Sequence, residues 1–241
     1  TAILLMPLRH PAWVQKSLTT LDYASGGRSI LGIGIGGAYE KEFETVNVPV
    51  KERGARTDEG LELLKKLMTE NNVTYNGKFY QVNDLTMEPK SIRKPHPPIH
   101  IAGNSDAALK RTVRFGDGWM PILLSLDAYK ETTAMLENLA HKANRDPNTI
   151  ERDMFIYISM DKSYEKALDT AKNALGNMYS QSGSGLEDRA IVGTPSQCLE
   201  RLSSYSDLGV QHFIFHWACK PQDIPWHMDT LSADIIPKLQ A

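Results

Sequence analysis

The sequence predicts an α/β protein built on a parallel sheet. Two observations carry this: six short, nearly continuous apolar β-type runs, and longer stretches of helical period between them. The runs are Ala2–Leu8, Ser29–Ile35, Pro98–Ala102, Trp119–Leu123, Met154–Met160 and His212–Trp217. A strand wetted on one face alternates polar and apolar residues, whereas these runs suit strands covered on both faces.

The intervening helices have legible ends. Pro11 sits at a first helical position, where its missing N–H is no loss, and Gly26-Gly27 closes that helix. Its expected inner face is Trp13, Val14, Leu18 and Leu21. Thr57 is the expected N-cap of the next helix, whose Leu61, Leu64, Leu67 and Met68 recur at helical spacing. Ser105 caps another, ended by Gly116, and Ser163 and Thr194-Pro195 open two more. Two stretches depart from the alternation. Asn76-Gly77 between alternating residues predicts a β-hairpin excursion over residues 71–84. The Gly/Ser-rich "SQSGSGLEDR", residues 180–189, reads as a mobile loop. The rest reads as one domain over residues 1–241. Six strand-helix units fall two short of a closed eight-stranded barrel, and these patterns leave barrel and open doubly wound sheet both standing.

Composition narrows the function. The chain has 241 residues, 41% of them hydrophobic, and a net charge of −2 with both signs interspersed. That balance favours neither nucleic acid nor an anionic membrane as partner. Cys198 and Cys219 lack metal-ligand spacing and build no disulfide framework, which fits a reducing cytoplasm. No apolar run reaches membrane-spanning length.

"GIGIGG", Gly32 to Gly37, satisfies G-x-G-x-x-G. A Rossmann phosphate turn also needs a helix opening on those glycines, and the sequence after them shows no helical apolar period before Leu61. The other strand ends carry Arg9-His10, Gly103-Asn104-Ser105, Ser159 and His216-Trp217. Glycines, hydroxyls and helix-capping amides gather there, without a carboxylate pair, a Ser/His/Asp set or a metal-ligand cluster. Such a platform suits an enzyme whose cofactor carries the chemistry.

Three segments carry a family resemblance. "LLMPLRHPAWVQKSLTTLDYASGGRSILGIGIGGAYEKEFETVNVPVKERGARTDEGLELLKKLM", "HPPIHIAGNSDAALKRTVRFGDGWMP" and "IVGTPSQCLERLSSYSDLGVQHFIFHW" resemble the luciferase-like monooxygenase family. Chained together, R-H-P, L-D-x-x-S-G-G-R, R-G-x-R-x-D-E and G-D-G-W are far more specific than any one of them. "MPLRHP" is most similar to the F420-dependent oxidoreductases of that superfamily. The resemblance implies a (β/α)8 TIM-type barrel binding the deazaflavin F420 or, as the alternative, FMN. The run from Ala2 then corresponds to the family's third strand, so this chain is expected to lack the first two strand-helix units. A histidine that assists chemistry in bacterial luciferase follows the second strand and has no counterpart here. One luciferase phosphate arginine falls on Ile35; a second aligns with Arg53.

On that resemblance Gly32, Gly34 and Gly36 would face the barrel interior and clear a shallow floor for a flat ring. Ala2 and Ile3 would flank the ring, joined by a non-proline cis peptide. Gly34, Gly36, Arg53, Gly103, Asn104 and Ser105 would complete the cofactor site, the last three through main-chain amides. Arg9 or His10 is the candidate for chemistry near the ring, His216 and Trp217 for substrate contact, and Trp119 for a structural role. No metal site and no convincing general base is expected. The implied reaction is hydride transfer between F420, or reduced FMN with oxygen activation, and a small organic substrate; the alternative is an inactive flavin-binding barrel fragment. The expected partners are that substrate and a second copy of the chain.

Overall fold

The computed structural model describes residues 1–175 and 185–239. The chain divides into two compact units, residues 1–119 with 148–150, and residues 120–147 with 151 onward.

The first unit opens with β1 (Leu4–Leu5), a 3-10 turn over Met6–Leu8, and α1 (Pro11–Ser25). The expected long first strand is therefore two residues, because Pro7 removes a ladder donor and starts the turn. Gly26 closes α1 in the left-handed conformation, φ 66°. Next come β2 (Leu31–Gly34), a short α2 (Glu40–Thr45) and α3 (Arg53–Thr69). Thus α2 occupies a stretch expected to lack helix, though it starts beyond Tyr39 and not on the glycines. Helix α3 begins at Arg53, so Thr57 is not its N-cap. Its buried hydroxyl instead donates to the Arg53 carbonyl, 2.8 Å away.

The hairpin is present as β3 (Val73–Asn76) and β4 (Gln81–Leu85), antiparallel, with Asn76 opposite Gln81. Its loop is therefore residues 77–80, inside the expected excursion. Then follow β5 (Ile99–Ala102), α4 (Asp106–Phe115, capped by Ser105) and β6 (Gly118–Met120). The strands neighbour one another as β1-β2-β5-β6, with β1-β2 and β2-β5 parallel and the hairpin outside that sheet. This sequence-neighbour order, with no switch point, is that of a (β/α)8 barrel and not of a doubly wound sheet. Leu31, Ile33, Ile99 and Ile101 bury one strand face against Val14, Leu18, Leu61, Leu64 and Met68. The opposite face carries Leu5, Gly32, Gly34 and His100, as the register and the alternation of side chains require.

Helix α1 corrects the expected inner face. Trp13 is 75% exposed and Leu21 49%, while Gln15, Thr19 and Asp22 are buried with Val14 and Leu18. The polar row meets the segment after the hairpin: Gln15 Nε2 donates to the Pro89 carbonyl, and Asp22 Oδ2 accepts from the Ile92 and Arg93 amides. Helical period cannot register such long-range partners.

The second unit contains α5 (Leu126–Lys142), β7 (Glu151–Met160), α6 (Tyr164–Leu175), α7 (Leu186–Arg189), β8 (Ile191–Gly193), α8 (Pro195–Asp207) and β9 (His212–Trp217). Helices α9 (Ile224–Thr230) and α10 (Ile236–Leu239) follow. Both β8 and β9 pair with β7 in parallel. The three-residue β8 was not among the expected runs, and it joins only the last residues of β7, Ile158–Met160. Of the expected loop over 180–189, residues 180–184 lie outside the described residues, and Leu186–Arg189 is a helical turn. Thr194 and Gln197 form a capping box that opens α8.

Within α8, Cys198 is fully buried and burial pushes its thiol up to about 12. At pH 8 that leaves about one thiolate in ten thousand, and the thiolate is the nucleophile. An aromatic disulfide reagent should therefore leave Cys198 unmodified in the native protein and react fully in denaturant; rapid native modification would contradict the packing.

Candidate active site

Of the first unit's candidates, Arg9 and His10 lie beyond β1, Gly34 and Gly36 at the end of β2 and Gly103, Asn104 and Ser105 after β5, where parallel barrels carry their loops and ligands, whereas Ala2 and Ile3 precede β1. Helix α3 begins at the same ends, after the β2 loop.

The Ala2–Ile3 peptide is cis, as the resemblance implied. Ile3 is 41% exposed and lies over Gly34: a Cβ at Gly34 would collide with Ile3 Cδ1. Gly36 has φ 64°, beyond the end of β2, and a Cβ there would press on Leu5 Cδ1 at 3.1 Å and Phe43 Cζ at 3.2 Å. The expected open glycine floor is thus corrected. The glycines make room for aliphatic side chains from β1, and Ile3 and Leu5 supply the apolar surface. Gly36 does not continue the strand alternation.

Gly37 adopts φ 110°, a left-handed conformation that a side chain would strain, and the Arg53 guanidinium fills the space above it. A Cβ at Gly37 would meet Arg53 Nε at 3.0 Å. Arg53 Nη1 donates to the Val50 carbonyl at 3.0 Å, while its buried Nε has no hydrogen-bond acceptor. A buried unsatisfied donor on a permanent cation is costly, which marks a place where an acceptor belongs.

At β5, Gly103 has φ 119° and its carbonyl accepts from the Trp119 indole N–H at 2.9 Å. Trp119 is fully buried, so its role is structural: it holds the loop that leads through Asn104 into α4. Ser105 Oγ accepts from the Ala108 amide at 3.3 Å, leaving first-turn amides of α4 facing outward from the helix end. Asp106 in that turn pairs with Lys110 at 2.7 Å.

Arg9 and His10 are both exposed. His10 Nδ1 accepts from the Ala12 amide at 3.2 Å, so the neutral ring carries its proton on Nε2. The His10 ring meets Tyr80 edge-on, 5.4 Å between centroids. Burial raises the Tyr80 pKa, partly offset by the Arg56 guanidinium beside it, so the phenol stays protonated. Tyr80 comes from the hairpin loop, and sequence reasoning did not place it at the site.

In the second unit His216 and Trp217 diverge. His216 lies opposite Tyr157, 4.8 Å between rings, on the face that packs against α6. Trp217 points to the other face and meets His227 edge-on at 5.9 Å. His227 is 2% exposed. Its Nε2 accepts from the Met160 amide and its Nδ1–H donates to the Asp223 carbonyl, both at 2.9 Å, fixing a neutral tautomer. A recess of about 350 Å³ beside it is lined by Asp161, Lys162, Lys166 and Trp226, and by none of the sequence-predicted site residues. Among the described residues no cluster of histidine, cysteine and carboxylate side chains fits a metal ion.

Comparison with known proteins agrees on the family. Residues 1–212 match the luciferase-like monooxygenase family. The whole chain is 30% identical to an F420-dependent glucose-6-phosphate dehydrogenase from Kineococcus radiotolerans, covering 77% of that protein. Over 83% of the chain it is 27% identical to an FMNH2-dependent dimethylsulfone monooxygenase from Pseudomonas putida, covering 64% of it. Among solved structures, an F420-dependent secondary alcohol dehydrogenase in complex with an F420–acetone adduct matches 99% of this chain and 78% of its own, with TM-score 0.87 and 20% identity.

Proposed function

Because the chain belongs to the luciferase-like monooxygenase family, we propose that it is an oxidoreductase that uses F420 to transfer hydride to or from a small organic substrate. The observation that carries this reading is Arg53, whose buried, unsatisfied Nε–H lies against Gly37. A phosphate oxygen there would satisfy that donor with a charge-assisted hydrogen bond. Main-chain amides from Gly103 through Ser105 would add donors at the start of α4, where the peptide dipoles favour an anion.

The chain's own residues would bind, orient and shield. Ala2, Ile3 and Leu5, with Gly34 and Gly36 giving them room, would offer the apolar support for the ring. Arg9 and the Nε2–H of His10 would face the reacting side. Once bound, F420 would supply the hydride-carrying ring carbon; FMN could also supply oxygen activation. The protein's contribution is proximity and exclusion of water. FMN as cofactor is the second reading, favoured by the FMNH2-dependent relative. We further read the protein as a cytoplasmic homodimer; its two free cysteines suit a reducing compartment.

Absorbance titration with each cofactor tests this. F420 should saturate at one per chain and bind at least about tenfold tighter than FMN, a difference of about 1.4 kcal/mol. Tighter FMN binding would move the reading to the second cofactor. Binding of neither would overturn it.

A further inference from the structure

The R-G-x-R-x-D-E motif, Arg53 to Glu59, does more than supply one phosphate arginine. Its charged side chains reach in three directions from the first two turns of α3. Arg53 covers Gly37. Asp58 binds Arg111 of α4 at 2.5 Å, a pair buried on the arginine side. Glu59 accepts hydrogen bonds from three successive hairpin-loop amides, Lys78 at 3.0 Å and Phe79 and Tyr80 at 2.8 Å each. Gly77 leaves room for that carboxylate, since a Cβ there would collide with Glu59 Oε1.

The clamp has a specific product. With its loop held, the hairpin delivers Tyr80, 6% exposed, against His10 in an edge-to-face contact. Arg56, paired with Glu52 at 2.9 Å and stacked over Phe79 at 4.5 Å, closes the other side of the phenol. Gly60 lets Met6 and Tyr80 approach the helix, with Met6 Cε 2.9 Å from where its Cβ would stand. Backbone bonding to Ala12 fixes only the His10 Nδ1 edge; a second contact is needed to set the ring plane.

We propose that Tyr80, held by Glu59, is a positioning residue for His10. The hairpin is then a wall of the site and not a surface ornament. The inference rests on the reading that His10 belongs to the site, and its test is separable from that reading.

The test compares Tyr80→Phe, Tyr80→Leu and Glu59→Ala in the full chain, with and without His10→Ala. The first readout is the NMR signal of the His10 ring without cofactor, which senses the neighbouring ring's current. Tyr80→Leu and Glu59→Ala, which removes the acceptor of all three loop amides, should both shift it toward the free-histidine position, and Tyr80→Phe should restore it. The second readout is kcat/KM with whichever cofactor binds. Aromatic edge contacts correspond to about two- to tenfold, so Tyr80→Leu should lower kcat/KM by about that factor through kcat, and have no further effect once His10 is alanine. Glu59→Ala keeps the proposal testable should Tyr80→Leu fail to fold. An unmoved His10 signal in Glu59→Ala, or equal losses with and without His10, would overturn it. Failure of either cofactor to bind would count against the proposed function and leave the NMR result to decide the role of Tyr80.

Discussion

Replacing Arg53 with alanine is expected to weaken cofactor binding by about 1–3 kcal/mol, or about fivefold to 150-fold in Kd. The range follows from losing charge-assisted hydrogen bonds to a phosphate. In the unliganded protein the same change should cost about 1 kcal/mol or less, because the lost bond to the Val50 carbonyl is offset by removal of a buried donor that lacks an acceptor. A loss of binding larger than the loss of stability separates a binding residue from a structural one. Fluorescence titration and thermal unfolding of the one variant measure both. An unchanged Kd would return Arg53 to an ordinary charged residue at a helix start.

Trp119→Ala should have the largest effect on stability, about 3–5 kcal/mol, because a fully buried indole leaves a cavity that the neighbouring strands cannot fill. Against a typical total of about 5–15 kcal/mol, this is a large share. The substitution also frees the Gly103 carbonyl from its 2.9 Å indole partner. Trp119→Phe therefore distinguishes the two contributions: it keeps most of the volume but loses the hydrogen bond. It should cost less stability than alanine yet still weaken cofactor binding, since the Gly103 loop loses its anchor. Chemical denaturation of both variants, set beside their cofactor affinities, checks this. A Phe variant that binds cofactor normally would mean that the indole bond does not shape the loop.

What the sequence made legible depended on whether the cause was local. The strand His212–Trp217 was expected with its observed bounds, because a short β-type run rich in aromatic and β-branched residues needs no distant partner to be recognised. The caps at Ser105 and Thr194 were likewise local chemistry. The α1 face misled because Trp13 and Leu21 are hydrophobic but exposed, while Asp22 is buried to accept two amides some seventy residues away. Asn76-Gly77 marked the hairpin by local chemistry, but not the hold that Glu59 on α3 takes on the Lys78, Phe79 and Tyr80 amides of its loop. The candidate phosphate residues were named from the family resemblance, yet only the packing showed the Arg53 side chain lying over Gly37. Likewise, of the glycines expected to leave an open floor, Gly34 and Gly36 give their space to Ile3, Leu5 and Phe43.

The central proposal is that Arg53 and the Gly103–Ser105 amides together hold the phosphate of a flavin-like cofactor. The most direct measurement compares the affinity of F420 with that of the same deazaflavin lacking its phosphate-bearing tail, alongside FMN and riboflavin. The account predicts that the phosphate-bearing member of the tighter pair binds at least about tenfold better, and that Arg53→Ala removes most of the difference. Equal affinities within both pairs would contradict it.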